Sequence, residues 1–456
     1  MLANVDLTLG VVSQGSAHDE LLLEMLDHQG LVYRVLGGTE SSPRPCPLVL
    51  TTQASAAVAR SLCGPGVDLL VAEEVVDLER PLLLLQGLAD DRRDNFDLVV
   101  TNAEEVLVSS VRERLFAKGL PLPRKWFWPG MAPAACLLTH DIDWFTYSPF
   151  HKQVVRQSSN PVRLLRLALG SLVGGRDYGW NIPEMVRLEQ DHGFRATYFF
   201  QTDYGSADAA ELLKKSVELL RSASFEMGLH GAHSSHDDAT ALAAELDSFR
   251  RNTGESPQGL RYHILKFEPP KTWELEHAAG LAYDATFFYN RFFGFRAGTC
   301  LPYHPFAGGS RLPILELPTS YMDWTALHKE LGSKEQLEIF ERTRATVEGH
   351  HGVLVANFHN TYMNEETFPT MYRIFASLLE TAEARGYWVA TGAECARWWR
   401  ERASARVDPR LDEAGGGAIL CSPSSVDVVF EREGRDPEVI PAAFRFAGLP
   451  QREGAP

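Results

Sequence analysis

An alternation of short apolar runs with amphipathic stretches extends from residue 135 to about residue 400, and it constrains the fold more than any other feature. The stretches between the runs, such as IPEMVRLEQDHG and ATALAAELDSFRRNTG, have the periodicity of amphipathic helices. The runs are, in chain order, ACLLT, ATYFFQ, FEMGLH, LRYHILKF, LAYDATFF, ILELPTSY, GVLVANFH and YWVAT. Strands that alternate with helices form a parallel sheet, so the pattern favours a closed or nearly closed (β/α) barrel of seven or eight strands over an open doubly wound sheet.

Segments of different character flank the predicted barrel. Residues 1–130 alternate shorter apolar runs, such as PLVLTT and VDLLVAEEV, with amphipathic stretches, which is typical of a small α/β domain, here of unknown role. The proline-rich, aromatic segment GLPLPRKWFWPGMAPAA marks its boundary with the barrel, which we place at residues 131–400. The segment GGGAILCSPSSVDVVFERE has the pattern of two short strands, so residues 401–456 are predicted to form a short β-containing extension.

The composition excludes several classes of protein. The chain has 456 residues and a formal net charge of -16, which argues against a nucleic-acid partner because phosphate binding needs a basic face. The apolar runs are far shorter than the roughly 20 residues that span a bilayer, and the first residues, MLANVDLTLGVVSQGS, lack the features of a signal peptide. The six cysteines stand singly, without a CxxC pair. We therefore expect a cytoplasmic protein with free thiols and without a transmembrane segment.

Polar side chains close several of the apolar runs. In a (β/α) barrel the catalytic side chains come from the carboxyl ends of the strands, so these residues form one set. Five different runs end in this way and bring carboxylate, imidazole and guanidinium groups to one rim. The set comprises Asp141 and Asp143 in THDIDWF, His230 with His233 and His236 in LHGAHSSHDD, Arg261 in LRYH, Asp284 in AYDATF, and His359 in NFHN.

The residue types in this set are those of a metal-dependent hydrolase. Carboxylate oxygens and imidazole nitrogens are preferred ligands of zinc, and three protein ligands with an open position are typical of a catalytic metal. Such an ion activates water and polarises a carbonyl group. Asp141 and Asp143 are two residues apart, so on a strand both point to the same face, where one can bind metal and the other accept a proton.

Each of these residues also has an ordinary structural explanation. A single aspartate after a strand is more often a helix N-cap or a turn residue than a catalyst, and the histidines of HGAHSSHDD are compatible with a solvated loop. Arg261 alone could be an ion-pair partner, and His359 could cap a strand. Five coincident strand-end placements are much harder to explain one by one, so as a set they favour a functional site.

The order of these motifs resembles the polysaccharide deacetylases, the NodB-homology group of carbohydrate esterases. The motifs are THDID, HGFRATYFF, FEMGLHGAHSSHDD, LRYH, LAYDATF and VLVANFH, and the resemblance covers about residues 135–400. Further segments, among them GFRAGTCLPYHPF, resemble a subgroup with an added N-terminal domain. The resemblance implies a deformed (β/α) barrel and a divalent metal ion, most often Zn²⁺, held by one aspartate and two histidines.

The resemblance implies different roles for the two aspartates of the first motif. Asp141 would be the catalytic base and Asp143 the metal-binding aspartate. The family commonly places these aspartates side by side, whereas Ile142 separates them here, as in some members.

The resemblance also implies two metal-binding histidines. His230 matches the first of them. The family's second histidine stands four residues further on, where this sequence has Ser234. We expect His236, in the context SHDD, to be the second ligand after a two-residue insertion, with His233 as the substitute.

The remaining motifs imply the other catalytic groups. Arg261 matches the arginine that orients the base Asp141, Asp284 matches an aspartate that holds the catalytic histidine, and His359 matches that histidine. His359 would be the general acid that protonates the leaving amine. The proline that usually follows the arginine is missing here, so the loop after Arg261 must differ.

The implied activity is removal of an N-acetyl (or O-acetyl) group from a sugar in a glycan or glycan precursor, with an N-acetylated sugar as the partner. Two other functions are compatible with the residues: hydrolysis of a non-sugar amide or imide on the same barrel, and glycan binding by a catalytically inactive barrel. The aromatic residues expected to stack on sugar faces near the rim are Trp144, Trp273 and Trp324. The polar residues considered as groove lining are Arg296, His263 and His304.

Overall fold

The computed structural model of the chain describes residues 6–36, 46–63, 68–90, 98, 100–146, 161–172, 178–411, 417–419 and 426–442. Contacts divide the chain into two compact units. The first comprises residues 1–78, 102–131 and 399–456, and the second comprises residues 79–101 and 132–398. The domain boundaries expected near residues 130 and 400 stay a prediction, and the contacts unite the N-terminal and C-terminal segments in one unit.

The N-terminal segment contains a small parallel sheet. The elements before residue 131 are β1 Leu9–Val12, α1 Ala17–His28, β2 Tyr33–Val35, β3 Val49–Thr51, α2 Ala56–Leu62, β4 Leu69–Val71, α3 Glu79–Leu85, α4 Ala103–Phe116 and β5 Leu122–Lys125. The strands β1 to β4 pair in parallel in the order β2-β1-β3-β4. Helix α1 begins after Ser16, which forms a reciprocal capping box with Asp19 and so satisfies two free amides of the first turn.

The second unit contains the predicted alternation of strands and helices. The elements from residue 135 to residue 404 are β6 Ala135–Ile142, α5 Pro161–Leu172, α6 Ile182–Asp191, β7 Thr197–Phe200, α7 Ala207–Ser222, β8 Glu226–Gly231, α8 Ala239–Thr253, β9 Gly259–Tyr262, α9 Lys271–Ala278, β10 Tyr283–Asp284, β11 Phe306–Ala307, β12 Ser310–Arg311, β13 Leu315–Glu316, β14 Thr319–Met322, α10 Asp323–His328, α11 Ser333–Gly349, β15 Val353–Asn357, α12 Pro369–Ala384, β16 Trp388–Val389 and α13 Gly392–Ser404. Each of the eight predicted runs contains a strand, and ILELPTSY contains two. Pro318, which has no amide hydrogen to donate to a neighbouring strand, lies between those two.

These strands form the deformed (β/α) barrel that the sequence predicts. The described strands pair in the order β13-β10-β9-β8-β7-β6-β15-β14, and β16 pairs with the start of β6. Every ladder in this sheet is parallel, as an alternation of strands and helices requires. The carboxyl ends of the strands therefore meet at one rim, where the polar strand-end residues lie.

Strand β6 is an interior strand of this sheet. It pairs with β15 and β7, and all eight of its residues are buried, which explains its continuous apolar start. His140 secures its carboxyl end: Nδ1–H donates to the Phe358 carbonyl at 2.9 Å, and Nε2 lies 2.7 Å from Glu189 Oε1. The end of β6 is thereby fixed against the residue that precedes His359.

The C-terminal segment adds strands to the first unit. They are β17 Pro409–Leu411, β18 Gly417–Ile419, β19 Val428–Arg432 and β20 Arg435–Ile440. Strand β19 pairs antiparallel with both β20 and β5, and Arg124 Nη1 donates to Glu431 Oε1 at 2.8 Å across the β5–β19 pair. Cys421 lies outside the described residues, and the other five cysteines form no disulfide bond in the described part of the chain. Among the described helices, none is long and apolar enough to cross a bilayer.

Candidate active site

Asp141 lies at the carboxyl end of β6 and is 2% exposed. Its Oδ1 accepts a hydrogen bond from Arg261 Nη1 at 3.0 Å, and its Oδ2 accepts one from Asn357 Nδ2 at 2.7 Å. Burial alone would raise the pKa of this carboxyl, but the charge of Arg261 and of two nearby imidazoles outweighs burial and holds the pKa below its usual value. Asp141 is therefore ionised in the neutral pH range.

Arg261 is fully buried and fixes the position of Asp141. In addition to that contact, Nη1 lies 3.0 Å from Thr139 Oγ1, Nε donates to the Ala285 carbonyl at 2.9 Å, and Nη2 donates to Thr319 Oγ1 at 3.1 Å. These bonds connect three different parts of the barrel to one guanidinium. The expected contact between Arg261 and Asp141 is present, and the catalytic role of the pair stays a prediction.

Asp143, His230 and His263 form a candidate metal centre. Asp143 Oδ1 lies 3.0 Å from His230 Nε2 and 3.1 Å from His263 Nδ1. One ligand atom from each of the three residues lies within 4.8 Å of the others. A carboxylate with two imidazoles is a donor set that suits zinc and leaves room for a further ligand.

His230 is oriented for this role by the backbone of β9. Its Nδ1–H donates to the Arg261 carbonyl at 2.8 Å, so Nε2 faces Asp143. In a neutral imidazole with Nδ1 protonated, Nε2 carries a lone pair, and a lone pair approaches a carboxylate only if a cation lies between them. That cation is either a proton or a metal ion, and metal-binding histidines are commonly oriented by such a bond from their second nitrogen.

The structure does not bring His236 to Asp143, in contrast to the expectation from the motif. The Nδ1–H of His236 donates to the His233 carbonyl at 2.8 Å, and its ring lies 6.2 Å from that of Tyr262. His233 is nearer, with its ring 5.0 Å from the ring of His263. The second imidazole beside Asp143 belongs to His263, and the ligand role expected of His236 stays a prediction that this geometry does not support.

His359 follows β15, and its carboxylate partner is Asp323, the first residue of α10. The Nδ1–H of His359 donates to Asp323 Oδ1 at 2.6 Å, and its backbone amide donates to Oδ2 at 2.7 Å. Burial would lower the pKa of His359, but the Asp323 carboxylate, with the site aspartates, raises the pKa to about 10. His359 therefore carries a proton in the neutral range, and its Nε2 lies 3.7 Å from Asp143 Oδ2.

Asp284 does not hold His359, so this expectation is also corrected. Asp284 is fully buried and accepts hydrogen bonds from the amide and hydroxyl of Thr286. Burial and the neighbouring Asp284 raise the pKa of Glu316 well above its usual value, so Glu316 is the protonated member of a buried carboxyl pair. Strand β14 lies beside β15 in the sheet, whereas β10 does not, which is why the residue after β14 is the one that meets His359.

A cleft of about 270 Å³ opens onto these groups. Its polar lining consists of Asp141, Asp143, His230, His263, His359 and Asn290. Its wall is apolar or aromatic and consists of Trp144, Ile264, Leu265, Met322, Trp324 and Tyr362. The candidate metal centre, the ionised Asp141 carboxylate and the protonated His359 imidazole thus face one space beside an aromatic wall.

Three of the residues expected at the groove, Trp273, Arg296 and His304, do not line the described cleft. Trp273 is fully buried, and its Nε1 donates to Glu316. The Arg296 guanidinium lies 4.0 Å from the centre of the Phe287 ring, and the His304 ring is hydrogen-bonded to backbone carbonyls. Trp144, Trp324 and His263 do line the cleft.

The loop after His263 has an unusual backbone. Ile264 and Leu265 have φ angles of 53° and 54°, in the left-handed region that β-branched and bulky residues rarely adopt. Both side chains line the cleft, and that of Ile264 is 45% exposed. Such strain costs on the order of 1–3 kcal/mol per residue and concentrates at functional sites. Ile264 and Leu265 lie in the loop after Arg261, where the proline that usually follows the arginine of this motif is missing.

Three groups of this site were missed as site residues or given another role by the sequence analysis. His263 was assigned to the groove, although it directly follows β9. Asp323 directly follows β14 and therefore obeys the same strand-end rule as Asp141. Asn357, whose Nδ2 donates to Asp141, is the last residue of β15. The signal for all three was their position at a strand end.

Comparison with models of known protein families found no match, and a search of the curated proteins also found none. Solved structures with some likeness include Puue allantoinase, with 16% identity over 60% of this chain and 92% of that chain at a TM-score of 0.43. A probable polysaccharide deacetylase from Pseudomonas aeruginosa PAO1 has 16% identity over 60% of this chain and 93% of that chain, at a TM-score of 0.42. The chitin deacetylase of Colletotrichum lindemuthianum has 14% identity over 59% of this chain and 89% of that chain, at a TM-score of 0.32. These values are too low to carry a functional argument, which therefore depends on the residues of the site.

Replacing the partner of His359 is expected to lower the pKa of that imidazole. In Asp323→Asn the buried ring loses its adjacent carboxylate, so its pKa should fall from about 10 toward the ordinary value of 6.5. Titration by NMR with histidine-selective labelling measures this in the metal-free protein. Asp284→Asn is the matched control and should leave the pKa of His359 near about 10. A lowered pKa in the control, with an unchanged pKa in Asp323→Asn, would restore the role first expected for Asp284.

Proposed function

We propose that this chain is a metal-dependent hydrolase that removes an acetyl group from an acetylated sugar in a glycan or a glycan precursor. The observation that carries the proposal is that an ionised carboxylate, a protonated imidazole and a candidate metal centre line one cleft. A metal ion that activates water, a base that accepts the proton of that water and an acid that protonates the leaving group together suffice for amide hydrolysis. The order of the sequence motifs, which resembles that of the polysaccharide deacetylases, supports an acetylated sugar as the substrate.

The residues of the candidate centre fit a divalent ion, and Zn²⁺ is the ion that we propose. Asp143 supplies a carboxylate oxygen, and His230 and His263 supply one imidazole nitrogen each. The backbone contact of His230 leaves its Nε2 directed at the carboxylate, as a ligand requires. Bound by these residues, a divalent ion would supply Lewis acidity, which polarises an acyl carbonyl and makes a water molecule more acidic.

Asp141 is the proposed general base. It accepts the proton of the water that attacks the acyl carbon. Its two oxygens are already held by Arg261 and Asn357, so the carboxylate needs little reorientation before it accepts the proton. The lowered pKa of Asp141 ensures that the accepting form is present at neutral pH.

His359 is the proposed general acid. When the carbon–nitrogen bond breaks, its Nε2–H gives a proton to the leaving nitrogen, and the products are acetate and the free amine. Asp323 binds both the ring and the backbone amide of His359, so it fixes the direction of Nε2 as well as its charge. The Nε2 atom lies 3.9 Å from Asp141 Oδ2 and 3.7 Å from Asp143 Oδ2, so the proposed acid is close both to the proposed base and to the candidate metal centre.

The shape of the cleft supports an acetylated sugar as the substrate. Its volume of about 270 Å³ is small beside the roughly 300–1,000 Å³ of most ligand pockets, so it suits the acetylated ring of a substrate and not a whole oligosaccharide. Trp144, which is 56% exposed, and Trp324 both line the cleft, so indole rings are available at its wall. Indole rings stack on the apolar faces of sugars.

Metal analysis combined with acetate release tests the proposed function. Chain purified with zinc is expected to retain about one ion per molecule, as a three-ligand catalytic site does. It should release acetate from at least one member of a panel of N-acetylated and O-acetylated sugars, free and nucleotide-linked. Chain treated with a chelator is the control, and zinc should restore its activity.

The competing functions predict other outcomes. A chain that retains zinc, hydrolyses non-sugar amides or imides and releases no acetate from the panel would be a different hydrolase. A chain that binds glycans but retains no metal and releases no acetate would be a binding module. Either result would contradict the proposed deacetylation.

A further inference from the structure

Helix α5, which spans Pro161–Leu172, exposes an apolar face. Val162 is 73% exposed, Leu165 61%, Leu169 52% and Leu172 76%. Four of the eleven large hydrophobic residues that are exposed in the described structure therefore lie on this one helix. Burial of apolar side chains is the main favourable term in folding and association, so such a face indicates a binding surface.

The four exposed side chains form one stripe. At about 100° per residue, the positions of Val162, Leu165, Leu169 and Leu172 fall within an arc of about 80° on the helix. Leu167, which is 1% exposed, lies on the opposite face of the helix, so this face is the buried one. A helix that packs on a core usually directs its apolar face inward, whereas α5 directs a row of apolar side chains to solvent.

Basic residues accompany this stripe. Arg166 lies beside it, and its side chain is 78% exposed although Glu366 Oε1 is 3.7 Å away. From residue 144 to residue 176 the sequence has one lysine and four arginines but no aspartate or glutamate. At the average content of 60 acidic residues in 456, a stretch of that length would hold about four. The whole chain has a net charge of -16, whereas this stretch has a net positive charge.

Helix α5 is connected to the rim of the cleft. Arg163 Nε donates to the Glu366 carbonyl at 2.9 Å, and Glu366 belongs to the loop that begins at His359. In the same loop, Asn360 Nδ2 donates to the carbonyl of Trp144, a residue of the cleft wall, at 2.9 Å. Helix α5 therefore lies beside the loop that begins at His359.

We propose that helix α5 binds the surface of a membrane that contains anionic lipids. An interfacial helix places its apolar side chains among the acyl chains and its basic side chains among the headgroups, as the stripe and Arg166 would allow. Such binding needs no membrane-spanning helix, and none is present among the described helices. The proposal concerns where the protein binds, and it does not depend on the reaction that the cleft performs.

A second copy of the chain fits this face less well than a membrane does. In a symmetric dimer through α5, each helix would meet the same helix of the partner. Because the helix carries Arg163 and Arg166 but no acidic residue, cations would face cations across that interface. Anionic headgroups supply the opposite charge together with the apolar layer.

Vesicle flotation with the full chain tests the proposal. The chain is expected to float with vesicles of equal parts phosphatidylcholine and phosphatidylglycerol and to bind at least about fivefold more weakly to phosphatidylcholine alone. The double variant Leu165→Glu with Leu169→Glu should bind the anionic vesicles at least about tenfold more weakly, because two apolar contacts become repulsive. Arg166→Glu should weaken the binding by about fivefold or more.

Matched variants distinguish the face from a general change in charge or folding. Leu88→Glu replaces another leucine of 62% exposure, and Lys334→Glu reverses another exposed cation, of 89% side-chain exposure. Both should bind vesicles as the unaltered chain does, and thermal unfolding should be the same for all variants. Equal binding by the double variant, or no binding by the unaltered chain, would overturn the proposal. A dimer that only the double variant dissociates, without vesicle binding, would assign the face to a second copy and also overturn it.

Discussion

Replacing Asp141 by asparagine is expected to lower acetate release on the order of 10³-fold, while zinc content stays unchanged. The amide in Asp141→Asn has no basic oxygen of comparable strength, so the attacking water loses its proton acceptor. The candidate ligands do not include Asp141, which is why the metal should remain. The measurements are initial rates of acetate release and elemental analysis of the same samples.

The substitution should be tolerated by the fold. The Oδ1 atom of Asn357 has no hydrogen-bond partner among the described residues, so rotation of that amide would present an oxygen to the new side-chain NH₂ group. Asp208→Asn, at an exposed position in the first turn of α7, is the matched control and should have full activity. An Asp141→Asn variant that keeps its zinc and its rate would show that another group is the base.

The barrel and the rim of its site could be predicted from local patterns in the sequence. A buried parallel strand needs a continuous apolar run, and each of the eight runs contains a strand. Because the carboxyl ends of parallel strands meet at one rim, Asp141, His230, Arg261 and His359 could be placed together before any contact was known. The direct bond between Arg261 and Asp141 agrees with that placement.

The second histidine could not be predicted, because the direction of a loop side chain depends on contacts with distant residues. The loop HGAHSSH is closed by Glu245 of α8, whose carboxylate accepts hydrogen bonds from the Ala232 amide and the Ser235 hydroxyl. That turn directs His236 to the His233 carbonyl and away from Asp143. Sequence order alone contains no information on this turn, so the motif spacing favoured a residue that the structure directs away from Asp143.

The carboxylate partner of His359 was mispredicted for a topological reason. The run ILELPTSY was treated as one strand, but it contains β13 and β14, and only β14 pairs with β15. Asp323 at the end of β14 therefore reaches His359, whereas Asp284 lies on β10 and pairs with other groups. The pairing of β19 with β5 could not be predicted either, because a local sequence pattern does not indicate which distant strand a given strand pairs with.

Replacing His263 by alanine is expected to weaken zinc binding by at least about 100-fold. The variant His263→Ala removes one of the two imidazoles beside Asp143, and a carboxylate with a single imidazole is a poor site for zinc. Competition with a chelating dye measures the affinity of the purified chain. Thermal unfolding without metal serves as a control for folding, since the His263 ring is partly exposed and its loss should change stability little.

The matched substitution His236→Ala distinguishes the geometry of the site from the spacing of its motif. The ring of His236 faces the His233 carbonyl and Tyr262, so its loss should leave zinc affinity as it is in the unaltered chain. His233→Ala is an intermediate case, because that ring packs on His263 and its loss removes a neighbour of a ligand. If His236→Ala loses the metal and His263→Ala keeps it, the loop must rearrange when the ion binds. The ligand set inferred from the family resemblance would then replace the one seen beside Asp143.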